Sequence, residues 1–216
     1  MPIMELRNVG YSYERGTKIL KGVNVSLEEG RMYAILGPSG CGKTTLLSLM
    51  GGLDSPTEGS VICDGCNIEK MGLAVHRRKN VAFVFQGYNL IDYLTPRENV
   101  SLTSKLPPMP ALERVGITEE ESRRSVLKLS GGQQQRVAIA RALASEARIV
   151  LADEPTGSLD EATAAEIASI LKATAHEAGK CVVVVTHSND LAKEADVVFR
   201  LKKGALSVSQ ENDRRR

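Results

Sequence analysis

The 216-residue sequence has no uninterrupted apolar run near the roughly 20 residues that a membrane-spanning helix requires. It also lacks an excess of either charge, because 28 Lys and Arg face 26 Asp and Glu and leave a net charge of +2. This balance argues against nucleic acid or an anionic membrane surface as the main partner. We expect a soluble protein that does not insert into a bilayer and that serves any membrane process from outside it.

Cysteine is sparse, and its spacing does not indicate a disulfide framework. The four cysteines are Cys41, Cys63, Cys66 and Cys181. Cys63 and Cys66 have the spacing of half a zinc site, but tetrahedral zinc needs two more ligands that no second cysteine pair or nearby histidine cluster supplies. We expect instead that Cys63 ends a strand before a turn at 64–65. Free cysteines favour a reducing cytosol.

Neither end of the sequence has the pattern of a targeting signal. Residues 1–5 lack the charged-then-apolar pattern of a secretory signal. Residues 213–216, an Asp followed by three Arg, are expected to be disordered and solvated. A chain of this length buries roughly 70% of its unfolded surface, so one domain over 1–216 needs no covalent staples.

A glycine-rich segment that ends in Gly-Lys-Thr-Thr organises the chain. We call it the P-loop, and its residues are Gly37, Pro38, Ser39, Gly40, Cys41, Gly42, Lys43, Thr44 and Thr45. Apolar residues 32–36 predict a buried strand before it, and 46–50 continue as a helix after it. Such a loop offers backbone N–H groups and a helix dipole to phosphate, with Lys43 reaching the β- and γ-phosphates and Thr44 binding Mg²⁺. A plain connecting turn is the alternative, which this strand–loop–helix context disfavours.

Strands that alternate with helices along the rest of the chain predict an α/β fold with a mainly parallel sheet. Residues 3–9 and 19–27 alternate in polarity and predict an N-terminal antiparallel β edge, joined by a loop at 10–16. Between 87 and 147 prolines replace β-rich runs, which predicts an inserted helical subdomain. The core then comprises about 1–86 and 148–216.

Two acids follow the apolar run 149–152, at the carboxyl end of a predicted strand, where open α/β sheets bind ligands. Asp153 is suited to hold Mg²⁺, and Glu154 is suited to orient or deprotonate an attacking water. The alternative is an acid pair that only caps the next helix. The P-loop elsewhere in the chain favours the catalytic interpretation.

A second candidate anion site opens the helix predicted at 131–144. Ser130 can cap this helix, and Gly131 and Gly132 leave its first backbone N–H groups bare. A capped helix without a ligand is the alternative. The full string Leu-Ser-Gly-Gly-Gln at 129–133 is more specific than Ser-Gly-Gly alone.

That five-residue string is identical to the signature motif of ATP-binding cassette (ABC) ATPases, and the chain resembles this family nearly end to end. The resemblance places Tyr13 where an aromatic side chain stacks on adenine, with Tyr11 as a competing candidate and an ordinary loop tyrosine as the alternative. Gln86 resembles the Q-loop glutamine, Asp160 lies in a segment similar to the D-loop, and His187 resembles the switch histidine. The two other histidines, at positions 76 and 176, lack such a setting and are expected at the surface.

The resemblance implies an ATPase that uses ATP and Mg²⁺ and works as a head-to-tail dimer. The implied catalytic residues are Lys43, Gln86, Glu154 and His187, and the implied metal ligands are Thr44, Gln86 and Asp153. In the family architecture the signature of one copy faces the γ-phosphate of ATP on the other copy. The residues concerned are Ser130, Gly131, Gly132 and Gln133. One chain would thus carry half of each site.

Several segments (83–86, 94–100, 131–136 and 151–157) are similar to one branch, which includes lipoprotein-releasing, macrolide-efflux, antimicrobial-peptide-export and cell-division ATPases. This branch implies an integral membrane permease as partner and a cytoplasmic location at the inner face of the cell membrane. The alternative is an ATP-dependent module that signals to a membrane scaffold without transport. A nucleic-acid-linked ABC ATPase would need a coiled-coil insertion or basic face, and the sequence has neither.

The predicted helical subdomain departs from that branch at two points. Only residues 101–111, with three prolines, separate 99–100 from 112–116, so that about one helix is missing. Val126 also stands where relatives often carry proline. Both changes lie on the surface expected to contact the membrane partner and leave the phosphate chemistry untouched.

Overall fold

Short apolar runs become strands, and the longer amphipathic segments between them become helices. The computed structural model describes residues 1–13 and 16–211, so the predicted tail at 213–216 and part of the loop predicted at 10–16 lie outside it. The strands are β1 (Met4–Ser12), β2 (Lys18–Leu27), β3 (Met32–Leu36), β4 (Glu58–Cys63), β5 (Cys66–Asn67), β6 (Val81–Phe85), β7 (Ile149–Asp153), β8 (Cys181–Thr186), β9 (Val197–Lys202) and β10 (Ala205–Glu211). The helices are α1 (Lys43–Met50), α2 (Ile68–Met71), α3 (Leu73–Lys79), α4 (Pro96–Ser101), α5 (Met109–Arg114), α6 (Glu119–Ser122), α7 (Gly131–Ala144), α8 (Glu161–His176) and α9 (Asn189–Lys193), with a 3₁₀ turn at Val126–Lys128.

The main sheet has the order β10-β9-β3-β8-β7-β6, and every neighbouring pair except β9–β10 is parallel. A second, antiparallel sheet has the order β2-β1-β4-β5. The predicted α/β fold with a mainly parallel sheet and an N-terminal antiparallel edge is confirmed. The loop predicted at 10–16 is wrong at its start, because Tyr11 and Ser12 still pair with β2 through irregular register.

The strands of the main sheet separate two apolar cores because successive side chains point to opposite faces. In β3, Tyr33 and Ile35 pack with α1 and the antiparallel sheet, whereas Met32 and Ala34 pack with α7 and α8. β3, β7 and β8 are almost wholly buried, as the central strands of a parallel sheet should be. Because they are packed on both faces, β3, β7 and β8 hold their carboxyl ends in fixed positions at one edge of the sheet.

Helices fill the stretch between β6 and β7, and they pack onto one face of the sheet through α7. Val100, Leu112 and Ile117 join the core that α7 forms with α8. α6 ends at Ser122, and the chain then turns and buries Val126 in a 3₁₀ turn. α7 has the predicted bounds.

Two histidines expected at the surface are buried or half-buried, so that prediction was wrong. His76 is fully buried, where Nε2 lies 3.0 Å from the carbonyl oxygen of Met50 and Nδ1 lies 3.2 Å from the side-chain amide of Asn80. Its neighbours in sequence are basic and hid this packing. His176 is half-buried, with Nε2 2.9 Å from the buried carboxylate of Asp196.

The segment around Cys63 follows the sequence prediction. Cys63 ends β4, a turn covers 64–65, and Cys66 pairs back in β5. Cys63 is buried and Cys66 is exposed. Within 1–13 and 16–211, no helix has the length and apolar character needed to cross a membrane.

Candidate functional site

Four parallel strands end side by side, and each delivers a candidate residue to the same edge of the sheet. The P-loop follows β3, Gln86 follows β6, Asp153 ends β7, and His187 follows β8. The register sets Phe85 beside Asp153 and Asp153 beside Val185. The carboxyl ends of parallel strands are where such sheets bind ligands, so topology gathers distant parts of the sequence into one site.

The P-loop is a tight turn that holds its lysine inside. Gly42 caps α1 with a φ of 103°, and a Cβ at this position would lie 2.8 Å from a methyl group of Ile19. Lys43 is buried, and its Nζ donates to the carbonyl oxygens of Gly37 (2.8 Å) and Pro38 (3.3 Å). A cation is thus positioned at a helix N-terminus before any phosphate arrives, which suits a triphosphate.

Thr44 and Asp153 bring together two oxygen ligands. Thr44 Oγ1 donates to Asp153 Oδ1 over 3.4 Å. Burial raises the pKa of Asp153, while the Thr44 hydrogen bond acts in the opposite direction. Mg²⁺ favours hydroxyl and carboxylate oxygens, and a cation here would offset the burial of the carboxylate. The side chains present therefore fit the metal that the sequence implies.

Glu154 has a left-handed backbone, with a φ of 45°, and its carboxylate is held on several sides. Oε2 accepts from Thr186 Oγ1 at 3.1 Å and from the backbone N–H of His187 at 3.3 Å. The same oxygen lies 3.0 Å from His187 Nδ1, and Oε1 lies 3.6 Å from Lys43 Nζ. A largely buried carboxylate is thus fixed beside an exposed imidazole and a cation, as a general base for water requires.

Gln86 leaves β6 and lies against the loop that follows Glu154. A Cβ at Gly157 would lie 3.0 Å from Gln86 Nε2, so a larger residue there would displace the amide. The amide is therefore next to the segment that connects Glu154 with Asp160. This places it near the acid pair, on the neighbouring strand.

Ser130 caps α7 through a reciprocal capping box, as its position in the sequence suggested. Its Oγ accepts from the Gln133 N–H at 3.3 Å, and its own N–H donates to Gln133 Oε1 at 2.8 Å. Gln133 Nε2 also donates to Glu121 at 2.6 Å. Among the described residues, no hydrogen bond or ion pair links this signature to the P-loop of the same chain.

The signature instead packs on the start of α8. A Cβ at Gly132 would lie 2.5 Å from a methyl group of Thr163. Asp160 caps α8 by accepting from the Thr163 N–H (3.0 Å) and Oγ1 (2.7 Å), and these bonds lower the pKa of Asp160. Gly132 and Asp160 are therefore joined through Thr163.

Tyr13 and Tyr11 meet edge to face, with ring centroids 5.3 Å apart. The Tyr11 hydroxyl donates to Asp54 at 2.5 Å, and this bond raises the pKa of Tyr11 to about 12. Tyr13 follows the end of β1 and is 55% exposed. Of the two candidates, Tyr13 has the free ring face that stacking on a base requires.

Sequence reasoning missed several residues that organise the site. Thr186 is the last residue of β8 and holds Glu154, and Thr163 is the contact of Gly132. In the loop after Gln86, the Tyr88 hydroxyl lies near Ser158 Oγ, and Arg141 donates to the Asn89 carbonyl. A hydroxyl at a strand end beside two candidates could have indicated Thr186, but the other contacts arise only from tertiary packing.

These features define a P-loop protein built to hydrolyse a nucleotide. Residues 20–157 match the family model for ABC transporters, and the chain belongs to this family. The ABC transporter ATP-binding protein YclH of Bacillus subtilis is 41% identical over 97% of this chain and 98% of its own length. The macrolide export ATP-binding/permease protein MacB of Nitrosomonas europaea is 40% identical over 99% of this chain, which spans 35% of MacB.

Solved structures agree with the family. The dimeric structure of the ABC transporter cassette MJ0796, from Methanocaldococcus jannaschii, matches with a TM-score of 0.86 at 39% identity, over 97% of this chain and 99% of that one. The same cassette in a dimeric post-hydrolysis state bound to ADP and Pi matches with a TM-score of 0.85 at 38% identity. The chain is an ATP-binding subunit of an ABC transporter, and the predicted ATPase activity is confirmed.

Proposed function

We propose that the chain hydrolyses ATP as a head-to-tail dimer and thereby drives export or extraction of a substrate by a membrane permease. The observation that carries the dimer is the separation of the two anion sites, because the signature at 130–133 makes no described bond to its own P-loop. A second copy would supply the missing half. The dimeric cassettes among the relatives support this arrangement.

Within each composite site we assign roles by chemistry. Lys43 and the P-loop N–H groups bind the phosphates, and Tyr13 stacks on adenine. Thr44, Asp153 and Gln86 would hold Mg²⁺, which neutralises charge on the phosphates. Ser130, Gly131, Gly132 and Gln133 meet the γ-phosphate from the other copy, next to Asp160.

The water step belongs to Glu154 and His187. The Glu154 carboxylate accepts a proton from the attacking water, and Thr186 keeps one carboxylate oxygen in place. His187 contacts Glu154 through Nδ1, and because its side chain is 63% exposed, Nε2 can donate to the γ-phosphate. Phosphoryl transfer needs positioning and charge neutralisation more than covalent chemistry, which this set supplies.

A permease partner is supported by relatives and by one exposed surface. PvdT of Pseudomonas aeruginosa, a pyoverdine export protein, and MacB each join an ATP-binding part and a permease part in one chain. On this chain Tyr93 and Leu127 are 85% and 66% exposed, and they flank a backbone hydrogen bond between Val126 and Leu94. We propose that this surface, the Tyr93–Leu127 surface, binds the permease at the inner face of the cell membrane.

The substrate class follows from the branch that the motifs resemble. We propose a lipoprotein, peptide or macrolide-like substrate, moved outward or out of the membrane. We also propose that residues 87–147 act as a helical subdomain that couples the core, 1–86 and 148–216, to the permease. Export relatives favour transport over signalling to a scaffold.

The test is Mg²⁺-dependent phosphate release by wild type and by Glu154→Gln, with ATP-dependent dimerisation measured by light scattering. Glu154→Gln should lose at least about 10²-fold in turnover while it still binds ATP, and it should accumulate as an ATP-bound dimer. Lys43→Ala is the control, because it should lose both binding and dimerisation. A wild type that binds no ATP, or a Glu154→Gln variant that turns over normally, would refute the proposal.

A further inference from the structure

The loop after Gln86 is strained at two successive residues. Tyr88 and Asn89 have φ angles of 60° and 48°, a left-handed conformation that Asn tolerates and Tyr disfavours. The guanidinium of Arg141, on α7, donates to the carbonyl oxygens of Asn89 (2.6 Å) and Tyr88 (3.2 Å). Burial lowers the pKa of Arg141, and its bond to Tyr88 is partly buried. The loop is thus held in one unfavourable conformation by the signature helix.

This conformation brings the Tyr88 hydroxyl between two other segments of the site. Its oxygen lies 3.4 Å from Ser158 Oγ, in the segment that leads to Asp160. It also lies against the signature, because a Cβ at Gly131 would be only 2.8 Å from it. A Cβ at Gly157 would lie 3.0 Å from Nε2 of Gln86, two residues before Tyr88. Gln86 and Tyr88 therefore both contact the segment 157–158, and Tyr88 also contacts the signature at Gly131.

In the proposed dimer, the signature and the segment 157–160 would meet the second copy. Gly132 already contacts Thr163, which Asp160 holds at the start of α8. Tyr88 makes the matching link on the other side, from Gly131 to Ser158. The two links keep the signature and the start of α8 at a fixed separation.

We propose that Tyr88 is a positioning residue: its hydroxyl sets the distance between Gly131 and Ser158, so that both approach the second copy as one rigid surface. This inference rests on the proposed head-to-tail dimer. Tyr88 has no described contact with the P-loop, so it should affect the association of two ATP-bound chains and leave ATP binding by one chain unchanged. A residue needed only for folding would lower thermal stability and ATP affinity together.

The experiment measures the dimer dissociation constant at saturating ATP by sedimentation in the Glu154→Gln background. Tyr88→Phe should weaken dimerisation about threefold to tenfold, as expected for the loss of one hydrogen bond. Ser158→Ala should do the same, and the double variant should be no worse than either single one. Ser101→Ala, an exposed serine on α4, is the matched control and should leave the constant unchanged.

Gly131→Ala gives a second, independent readout. The added methyl group should press on the Tyr88 hydroxyl and weaken dimerisation, whereas the next atoms, at 3.8 Å, are at ordinary contact distance. Adding Tyr88→Phe to Gly131→Ala removes the close oxygen atom and should restore part of the lost dimerisation. Tyr88→Phe should therefore weaken the dimer when Gly131 is present and strengthen it in the Gly131→Ala background. The melting temperature should stay within error of the parent in every variant, and ATP affinity should do so in Tyr88→Phe and Ser158→Ala.

The outcomes separate the two proposals. A Glu154→Gln parent that stays monomeric with ATP refutes the dimer and this inference with it. If the parent dimerises and Tyr88→Phe leaves its dissociation constant unchanged, only the role of Tyr88 is refuted. The same holds if Tyr88→Phe and Ser158→Ala have additive effects and Tyr88→Phe does not rescue Gly131→Ala.

Discussion

Glu154 carries its carboxylate on a backbone conformation that costs of order 1 kcal/mol for a side chain of this kind. The surroundings compensate with hydrogen bonds from Thr186 and from the His187 N–H. Thr186 also accepts from the Ser188 N–H at 3.0 Å, so one hydroxyl fixes both the carboxylate and the turn that carries His187. Catalytic geometry at this position therefore depends on a residue that does not itself touch phosphate.

Thr186→Val should lower kcat about tenfold and leave the KM for ATP nearly unchanged, because it removes one hydrogen bond to a charged group and keeps the shape of the strand. Steady-state ATPase kinetics give both constants. Thr174→Val is the matched control, since that buried hydroxyl only donates to the Ile170 carbonyl within α8. Equal kcat values for the two variants would contradict the role of Thr186.

His76 is a buried imidazole whose neutral form satisfies both ring nitrogens. Nε2–H can donate to the Met50 carbonyl while Nδ1 accepts from the Asn80 amide. Burial lowers the pKa of His76 below its ordinary 6.5, and the Met50 carbonyl only partly opposes this. A proton on Nδ1 would place a second donor against the Asn80 amide.

Stability should therefore fall as the pH drops below about 6.5, because the unfolded chain then binds a proton that the folded chain refuses. The contribution is complete above the unfolded pKa and is lost progressively down to the lowered folded pKa, by at most about 1.4 kcal/mol per pH unit. Urea unfolding from pH 8 to pH 5 should show a flatter dependence for His76→Gln than for wild type. An unchanged slope in His76→Gln would refute the assignment.

At the scale of elements, the Tyr93–Leu127 surface rests on a rigid support. The buried Asn99 of α4 accepts from the Ile91 N–H at 2.8 Å, and its amide donates to the carbonyls of Ile91 and Thr95. The turn that carries Tyr93 is thus tied to α4. An exposed aromatic on a fixed turn suits binding to another protein better than it suits solvent.

The double variant Tyr93→Ser, Leu127→Ser should lose association with the membrane fraction and keep its basal ATPase activity, because no described hydrogen bond or ion pair joins either side chain to Lys43, Asp153 or Glu154. Co-purification with the permease from detergent-solubilised membranes measures this. Val208→Ser, at an exposed apolar position on β10, is the control and should keep the association. If Val208→Ser lost the association and the double variant kept it, the permease would bind a different surface from the Tyr93–Leu127 surface.

The sequence predicted elements best where apolar runs and glycines coincide. Strands β3 and β7 and helix α7 could be placed within a residue or so, because a buried parallel strand and a Ser-capped helix have strong local signals. The end of β1 was missed since pairing with β2 overrides the glycine at position 10. Burial of His76 was missed for a related reason, because one of its partners, the Met50 carbonyl, lies 26 residues earlier in the chain and leaves no local pattern.

For the whole molecule, the main consequence of the proposed dimer is that neither copy is complete. Sequence motifs identified a residue in each half of the composite ATP site, Lys43 in the P-loop and Ser130 in the signature. The separation of these two residues within one chain is a property of the fold. The Tyr88 contacts likewise join residues 70 positions apart and have no signature in sequence.

Two inactive variants should therefore restore activity when they are mixed. Lys43→Ala lacks a working P-loop, and Ser130→Arg lacks a working signature, yet a mixed dimer keeps one intact site. Activity should rise above that of either variant alone, since each mixed dimer keeps one intact site even though Lys43→Ala chains do not pair with one another. Phosphate release by each variant alone and by an equal mixture tests this, and a mixture as inactive as its parts would contradict a composite site.

The walls of the P-loop come from opposite ends of the chain. Gly42 faces Ile19 on β2, and a Cβ at Gly37 would lie 2.7 Å from the carbonyl oxygen of Leu201 on β9. A fragment cut to the strand, loop and helix around Lys43 would lack both walls, however perfect its motif. Nucleotide binding should therefore depend on both β2 and β9 being in place around the loop. A chain split between these strands should bind ATP only after its pieces reassemble.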